Sequence, residues 1–327
     1  MPSTSRLRQT TLSAARKLGI LPTLEYARFL KCAGTSFIKN RKFLSQQPPP
    51  HYIPPPIWIA YDAYNNLDFE NIYAQGKDQA ELLVGCMQKH LPPEQLRGAS
   101  VLEWGCGPGR ILQHMPRLLG PHARVFGSDY NQTTIDWCQN NLQPITCKLN
   151  GLEPPLAFAT GSLDVVYAIS VFTHLSDRLH TAWIDELTRV LRPGGLLLVT
   201  LHGNAVADRL TPVERSSFDR GELVVRGHVK EGSRLYAAFH PDAYVRDTLL
   251  SDFDILGKQE PFAREAACSA KQTWSSSRSR SMTVILHSAS GHAQIDDDVA
   301  AGRVRVWAHL VRRFDERLRL ITWQLRQ

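Results

Sequence analysis

The stretch Val101-Leu102-Glu103-Trp104-Gly105-Cys106-Gly107-Pro108-Gly109 constrains this chain more than any other. An apolar run closes on an acid and enters a turn with glycine at every second position; residues 110–119 then take helical spacing, with Ile111, Leu112, Met115, Leu118 and Leu119 on one side. Strand, glycine turn and helix in that order belong to an open α/β sheet. The glycines let a ligand approach the backbone, and the helix start is expected to offer unpaired N–H groups. The spacing also selects the ligand. A turn that seats a pyrophosphate reads G-x-G-x-x-G, whereas this one reads G-x-G-x-G with Arg110 at the place of the third glycine. Glu103 would repel a phosphate but attract the ammonium of an amino acid, so a nucleoside with an amino-acid tail fits better than a dinucleotide.

The rest of the chain repeats the α/β alternation. Residues 100–104, 124–128, 163–169, 196–201, 253–256 and 282–287 read as strands. Helices run through Ile135, Trp137 and Cys138 and over residues 179–191, where Trp183, Ile184, Leu187 and Leu191 face inward and Pro193-Gly194-Gly195 ends the helix. Asp129 closes the second strand twenty residues after Gly109, where a carboxylate can accept two hydrogen bonds from a ribose diol, with Tyr130 placed to lie against the adenosine. Residues 202–251 form an insert whose segments 222–229 and 234–239, around Glu231-Gly232, read as a β-hairpin and a substrate lid. Residues 46–56 hold six prolines and separate a helical arm, with Leu12, Ala15, Leu18 and then Leu24, Ala27, Phe29, Leu30 in helical register and Pro22 between, from the body. The expected organisation is an arm and linker at 1–56, a catalytic domain at 57–290 and a terminal amphipathic helix at 291–327.

Charge divides along the same boundaries. The 327 residues carry a net +7, yet residues 1–50 hold +8 and residues 302–327 hold +5, which leaves the body at −6. A body of that sign argues against nucleic acid as the substrate. The six cysteines contain no C-x-x-C pair and no His/Cys/Asp cluster has metal-ligand spacing, so no metal is expected and a reducing, cytoplasmic setting fits. No apolar run reaches the length of a membrane-spanning helix, and the N-terminus does not read as a secretory signal.

The pieces VLEWGCGPG, VFGSDYN, LDVVYAISVFTHL and ELTRVLRPGGLLLVTLHG, in this order and spacing over residues 73–290, resemble the class I S-adenosylmethionine-dependent methyltransferases. The resemblance implies a Rossmann-like methyltransferase fold: an α/β sheet of seven strands in the order 3-2-1-4-5-7-6, strand 7 antiparallel, with helices on both faces. It implies S-adenosylmethionine as cofactor, held by Glu103, Trp104, Gly105, Cys106, Gly107, Gly109, Asp129, Tyr130, Asn150, Gly151 and Ser170. Glu103 and the glycine backbone would take the methionine moiety, Asp129 the ribose hydroxyls and Tyr130 the adenosine. Asn150 stands where the family often places an acid for the adenine amino group, and its carbonyl can serve. SVFTHL with LRPGG is similar to the small-molecule branch. The N/D/S-P-P-Y/F/W tetrapeptide of DNA amino-methyltransferases is missing at this point, and no Pro-Cys dipeptide of the cytosine C5 enzymes occurs.

The expected activity is transfer of a methyl group to a hydroxyl, amine or carbon of a small-molecule, sugar or lipid-like acceptor. His174 is the candidate general base, weighed against simple packing under the strand 4 loop. His202 has a weaker claim, and His240 reads as a turn residue at the insert boundary. Trp58, Tyr61, Tyr64 and Tyr73 form an aromatic cluster that either folds over the cofactor or packs a lid. Asp296 to Asp298 favour the start of the helix that follows, whose Trp307, Val311, Phe314, Leu318, Ile321 and Leu325 make one apolar seam. That helix docks on the core, pairs in a homodimer or lies against an anionic membrane. Rival readings are a nucleic-acid methyltransferase with basic termini as phosphate clamps, a cofactor-binding scaffold without catalysis, and a nicotinamide reductase.

Overall fold

The computed structural model describes residues 21–46, 52–259, 270–271 and 280–286. The chain divides into two compact units, Met1–Ser288 and Ala289–Gln327, and all described residues belong to the first. The early arm residues, Asp296 to Asp298 and the terminal seam lie outside the described residues.

Alternating burial builds the sheet. In β1 (Ser100–Trp104), β2 (Arg124–Asp129), β3 (Thr146–Leu149), β4 (Leu163–Ala168) and β5 (Leu191–Leu201), successive side chains leave on opposite faces. Val101, Val165, Leu196 and Leu198 join one apolar layer with Leu83, Met87, Leu112 and Ile135. Leu102, Val166, Leu197 and Val199 join the other with Phe172, Trp183 and Leu187. The two layers cover both faces, so β1, in the middle, is buried at all five positions. These five strands are parallel in the order β3-β2-β1-β4-β5, with Glu103 opposite Gly127 on one side and Tyr167 on the other.

The insert contributes β6 (Val224–Arg226) and β7 (Ala237–Phe239), an antiparallel pair in a separate small sheet. Beyond β5 come β8 (Phe253–Gln259), β9 (Ala270–Lys271) and β10 (Arg280–Leu286). Here the expectation of an antiparallel strand 7 is corrected: β10 lies between β5 and β8 and runs parallel to both. The chain between β8 and β10 is long enough to cross over and return to the same end, which a parallel neighbour requires. The antiparallel partner of β5 is instead the two-residue β9, opposite Leu196 and Leu197.

Two local expectations also change. The helix expected over residues 110–119 is reduced to a tight turn at Leu112–His114 and one α-turn at Met115–Leu119, because Pro116 lacks the N–H that would continue an earlier ladder. Pro193-Gly194-Gly195 does not end the preceding helix, which stops at Val190; it lies inside β5 as a bulge, with Leu163 opposite Leu191 but Val165 opposite Leu196.

The arm is no loose tether. Leu21–Ser45 is one helix of 25 residues with Pro22 in its first turn, where a missing N–H costs nothing. Its Phe29 meets Tyr61 edge-on at 5.2 Å, and Phe43 meets Tyr52 at 5.8 Å. No helix among the described residues is long and apolar enough to cross a membrane.

Candidate functional site

The glycine turn hangs from the ends of β1 and β2. The amides of Gly105 and Cys106 both donate to Ser128 O, at 2.8 and 2.9 Å, and the Gly107 amide donates to Asp129 Oδ2 at 2.9 Å. The Gly109 amide donates to Cys106 O, and that of Arg110 to the hydroxyl of Tyr64 at 3.0 Å. Every amide from residue 105 to 110, Pro108 having none, is therefore spent within the protein. The glycine turn therefore lacks the nest of free donors that a pyrophosphate needs. Gly105 and Gly107 have φ of +74° and +50°, and a Cβ on Gly105 would collide with Val171.

Under the turn, Glu103 is only 4% exposed and accepts from the Tyr167 hydroxyl at 2.9 Å. Burial lifts its carboxyl to about 8, against the pull of Tyr167 and of the nearby Arg110 guanidinium. Asp129 is likewise raised by burial, although the amides of Gly107 and Asn131 bond its two oxygens. Trp104 goes the other way: its ring packs at 4.5 Å from Trp183 and 5.2 Å from Phe172 in the far core layer, so only its backbone is on the site side. Cys106 is buried beside Cys138 and Cys147 behind the turn. Gly109 fits against Leu142, and Gly151 closes a tight bend on Glu153.

Asn150 follows β3, its amide bonded to Asp129 O at 3.0 Å. Its side-chain nitrogen donates to Gly151 O, while its Oδ1 is buried with no partner. A buried carbonyl without a donor is costly unless a ligand supplies one. Ser170, at the end of β4, holds the left-handed region at φ +59°, its amide donating to Thr200 Oγ1 at 2.7 Å. Such a conformation in a residue with a side chain stores strain and is found at ligand sites.

The opposite wall comes from distant segments. His174 Nδ1 lies 2.7 Å from Tyr236 O, so Nδ1 carries the proton and Nε2 keeps the lone pair; burial lowers the ring's pKa below its ordinary value. Gly232 ties the two halves: its amide donates to His174 O at 2.9 Å and its carbonyl accepts from the Tyr130 hydroxyl at 3.2 Å. Two residues on, Arg234 pairs with buried Glu25 of the N-terminal helix at 2.5 Å, bonds Asn65 and lies over the Tyr61 ring at 4.8 Å. Burial raises the Tyr130 hydroxyl to about 12, so it stays a donor.

The structure thus gathers Glu103, the glycine turn, Asp129, Tyr130 and Asn150 at the ends of β1, β2 and β3, and brings His174 to them through Gly232. His202 packs against Phe239 at 5.4 Å. His240 lies in the connection between β7 and the helical turn at Asp242–Tyr244, fully buried, 5.0 Å from the His180 ring, with its pKa driven well down by burial. Of the aromatic cluster, Tyr64 touches the turn directly, Tyr61 holds Arg234, Tyr73 meets His114 edge-on at 4.8 Å and Trp58 stays exposed. Sequence reasoning missed Glu25, Arg234 and Tyr236, which carry no motif; Gly232 was marked only as a hairpin turn.

An open parallel sheet whose glycine turn spends its amides within the protein, an acid under the turn and an acid closing the next strand suit a nucleoside with an amino-acid tail. A family profile described as "Methyltransferase domain" matches residues 101–195. The chain is 30% identical to the ubiquinone biosynthesis O-methyltransferase of Xanthomonas oryzae over 54% of its own length and 73% of that relative. It is 37% identical to a "Probable S-adenosylmethionine-dependent methyltransferase" of Mycolicibacterium smegmatis over 32% of this chain and 38% of that one. It is 29% identical to the Homo sapiens tRNA N(3)-cytidine methyltransferase METTL2B over 42% and 37%. It spans 30% to 46% of the length of four curated relatives, the Mycolicibacterium protein among them. The chain belongs to the class I S-adenosylmethionine-dependent methyltransferases.

Proposed function

We propose that this protein transfers the methyl group of S-adenosylmethionine to a hydroxyl, amine or carbon of a small or lipid-like acceptor. The observation that carries the reading is the buried, unpartnered Oδ1 of Asn150 beside an Asp129 carboxylate already bonded to the glycine turn. The residues fit the cofactor. Asn150 Oδ1 accepts from the adenine amino group, and Asp129, whose oxygens keep spare lone pairs, accepts from the ribose hydroxyls. Tyr130 lies against the adenosine, Glu103 takes the ammonium of the methionine moiety, and the backbone of residues 104–109, Gly151 and Ser170 shape the cradle. When bound, S-adenosylmethionine supplies a methyl on a positively charged sulfur, already activated for displacement.

The protein's own work is to position, to exclude water and to hold a proton. Residues 202–251 act as the substrate lid, with Gly232 and Arg234 closing it on the β4 loop and the N-terminal helix. His174 Nε2 serves as the base for a hydroxyl or amine acceptor. Its Nδ1–H bond to Tyr236 O fixes the tautomer, and its lowered pKa keeps the ring neutral at pH 7. The quinone relative's name supports an oxygen acceptor on a lipid-like ring, and the −6 of the body supports an acceptor that is not a polyanion. The lid and the domain at 57–290 belong to the same proposal.

The test is mass spectrometry of metabolite and lipid extracts incubated with purified protein and S-adenosylmethionine, seeking products that gain one methyl. His174→Ala is expected to lower kcat about 100-fold with cofactor affinity unchanged. In the wild type, the acid limb of the pH–rate profile is expected below 6.5, since the ring must lose its proton to act and burial lowers its pKa. Full turnover by His174→Ala would remove the base; no methylated product and no calorimetric binding of the cofactor would sink the whole reading.

A further inference from the structure

The N-terminal helix Leu21–Ser45 has a second face. One side packs on the body, with Glu25 and Ser36 buried. On the other, Leu30, Phe37 and Leu44 repeat at seven-residue steps with Ile38 beside them, and they are 51%, 65%, 37% and 77% exposed. A Cβ added at Gly34, within the same stripe, would meet nothing within 4 Å, so no described residue covers the stripe at that point. Large exposed apolar side chains gathered in one stripe mark a surface with a partner.

Charge identifies the partner. The helix carries Arg28, Lys31, Lys39, Arg41 and Lys42 against the single acid Glu25, and that acid is held by Arg28 and Arg234. At 3.6 residues per turn, Arg41 falls within the Leu30 to Leu44 stripe, and Lys31 and Lys42 fall on its flank beyond Ile38. All three are exposed. Apolar side chains with basic ones along their edge, on a helix that cannot span a bilayer, match an element lying in the plane of an anionic membrane surface. A second copy of the helix is a poor match: the heptad seam would place Gly34 and Arg41 at its core positions and bring two helices of net +4 together.

We propose that this face docks on an anionic phospholipid bilayer, with Leu30, Phe37 and Ile38 among the upper acyl chains and Arg41 and Lys42 at the headgroup phosphates. The opposite face of the same helix holds Arg234 through Glu25, so docking would hold the lid about one helix diameter from the lipid surface, with the helix between them. The proposal does not depend on methyl transfer, and its test does not use activity.

The experiment is flotation of the full-length protein with phosphatidylcholine vesicles, with and without phosphatidylglycerol. The wild type is expected to float with the anionic vesicles only, and to be released as salt rises from about 0.1 to about 0.5 M. The double variant Phe37→Ser/Ile38→Ser is expected to bind about tenfold more weakly, and Arg41→Glu/Lys42→Glu at least as weakly. Both change exposed side chains, so melting temperatures should match the wild type; if the apolar variant melts early, the charge variant decides. Equal flotation of wild type and variants would overturn the proposal. So would wild-type protein that stays off anionic vesicles but forms a dimer that Phe37→Ser/Ile38→Ser dissociates.

Discussion

The two walls of the site are built on different principles. The turn wall, from Glu103 to Asn150, is anchored by backbone amides reaching over neighbouring strand ends: amides 105 and 106 on Ser128 O, amide 107 on the Asp129 carboxylate, amide 150 on Asp129 O. The lid wall is held mainly by side chains reaching across segments far apart, Glu25 to Arg234, the Tyr130 hydroxyl to Gly232 O and His174 Nδ1 to Tyr236 O, beside the backbone bond from the Gly232 amide to His174 O. Backbone bonds follow from strand order and tolerate little change; side-chain bonds between distant segments can be exchanged without disturbing the sheet. Such a division lets a fold hold one wall fixed while the other is free to change.

The largest expected effect strikes the turn wall. Asp129→Ala leaves the amides of Gly107 and Asn131 without their charged acceptor, each costing about 1–3 kcal/mol. Cofactor affinity by calorimetry should fall about 100-fold or more and melting by roughly 5 °C. A variant that kept wild-type affinity would mean that the strand end does not hold the nucleoside. Next is Glu103→Gln, where stability and binding should move in opposite directions. The folded carboxyl stays protonated up to about 8 while the unfolded one ionises near its ordinary value. Between those points the unfolded state binds fewer protons, so the wild type loses stability as pH rises through that window. The neutral amide should recover about 3 kcal/mol at pH 7, yet weaken cofactor binding by removing the partner of the ammonium. In the wild type, binding should release a proton and tighten as pH climbs toward 8, read from calorimetry in buffers of different ionisation enthalpy. Binding without proton release would detach Glu103 from the ammonium.

The same contrast governs what could be read from the residues alone. Glycine spacing, Glu103 and Asp129 are local signals on consecutive strands, and the structure places them together at the turn. The reduced helix after the turn follows from Pro116, and the bulge at Pro193-Gly194-Gly195 from the way β5 resumes pairing at Leu196. Both are local in sequence but depend on partners elsewhere. Trp104 was indistinguishable from its neighbours until the pleat sent its ring to Trp183. Glu25 and Arg234 lie 209 positions apart, and no periodicity connects them. Gly232 shows as a turn residue, but its bonds to His174 and Tyr130 exist only once the insert folds over the strand ends.

The lid wall gives a smaller effect. Arg234→Ala removes the ion pair, the Asn65 bond and the ring contact at once, leaving Glu25 to Arg28 alone. Amide exchange in residues 222–239 should speed up about tenfold or more, and acceptor KM should rise, while cofactor affinity stays within about threefold. A loss of cofactor affinity as large as that of Asp129→Ala would show that the two walls act as one unit.

The smallest expected change falls on a hydrogen bond that joins the walls directly. Tyr130→Phe deletes only the hydroxyl that donates to Gly232 O at 3.2 Å and keeps the ring proposed to lie against the adenosine. A neutral hydrogen bond of this length contributes about 0.5–1.5 kcal/mol. Because burial raises the hydroxyl to about 12, ionisation adds nothing to that figure near neutral pH. Cofactor affinity should therefore hold within about threefold, while acceptor KM rises by a similarly small factor through a looser Gly232 and a less fixed His174. Combined with Arg234→Ala, the two effects on KM should exceed their sum in free energy, since both act on the same short segment of the lid. Strict additivity would show that Gly232 and Arg234 hold the lid independently, and the hinge between the walls would then lie elsewhere than at residues 230–236.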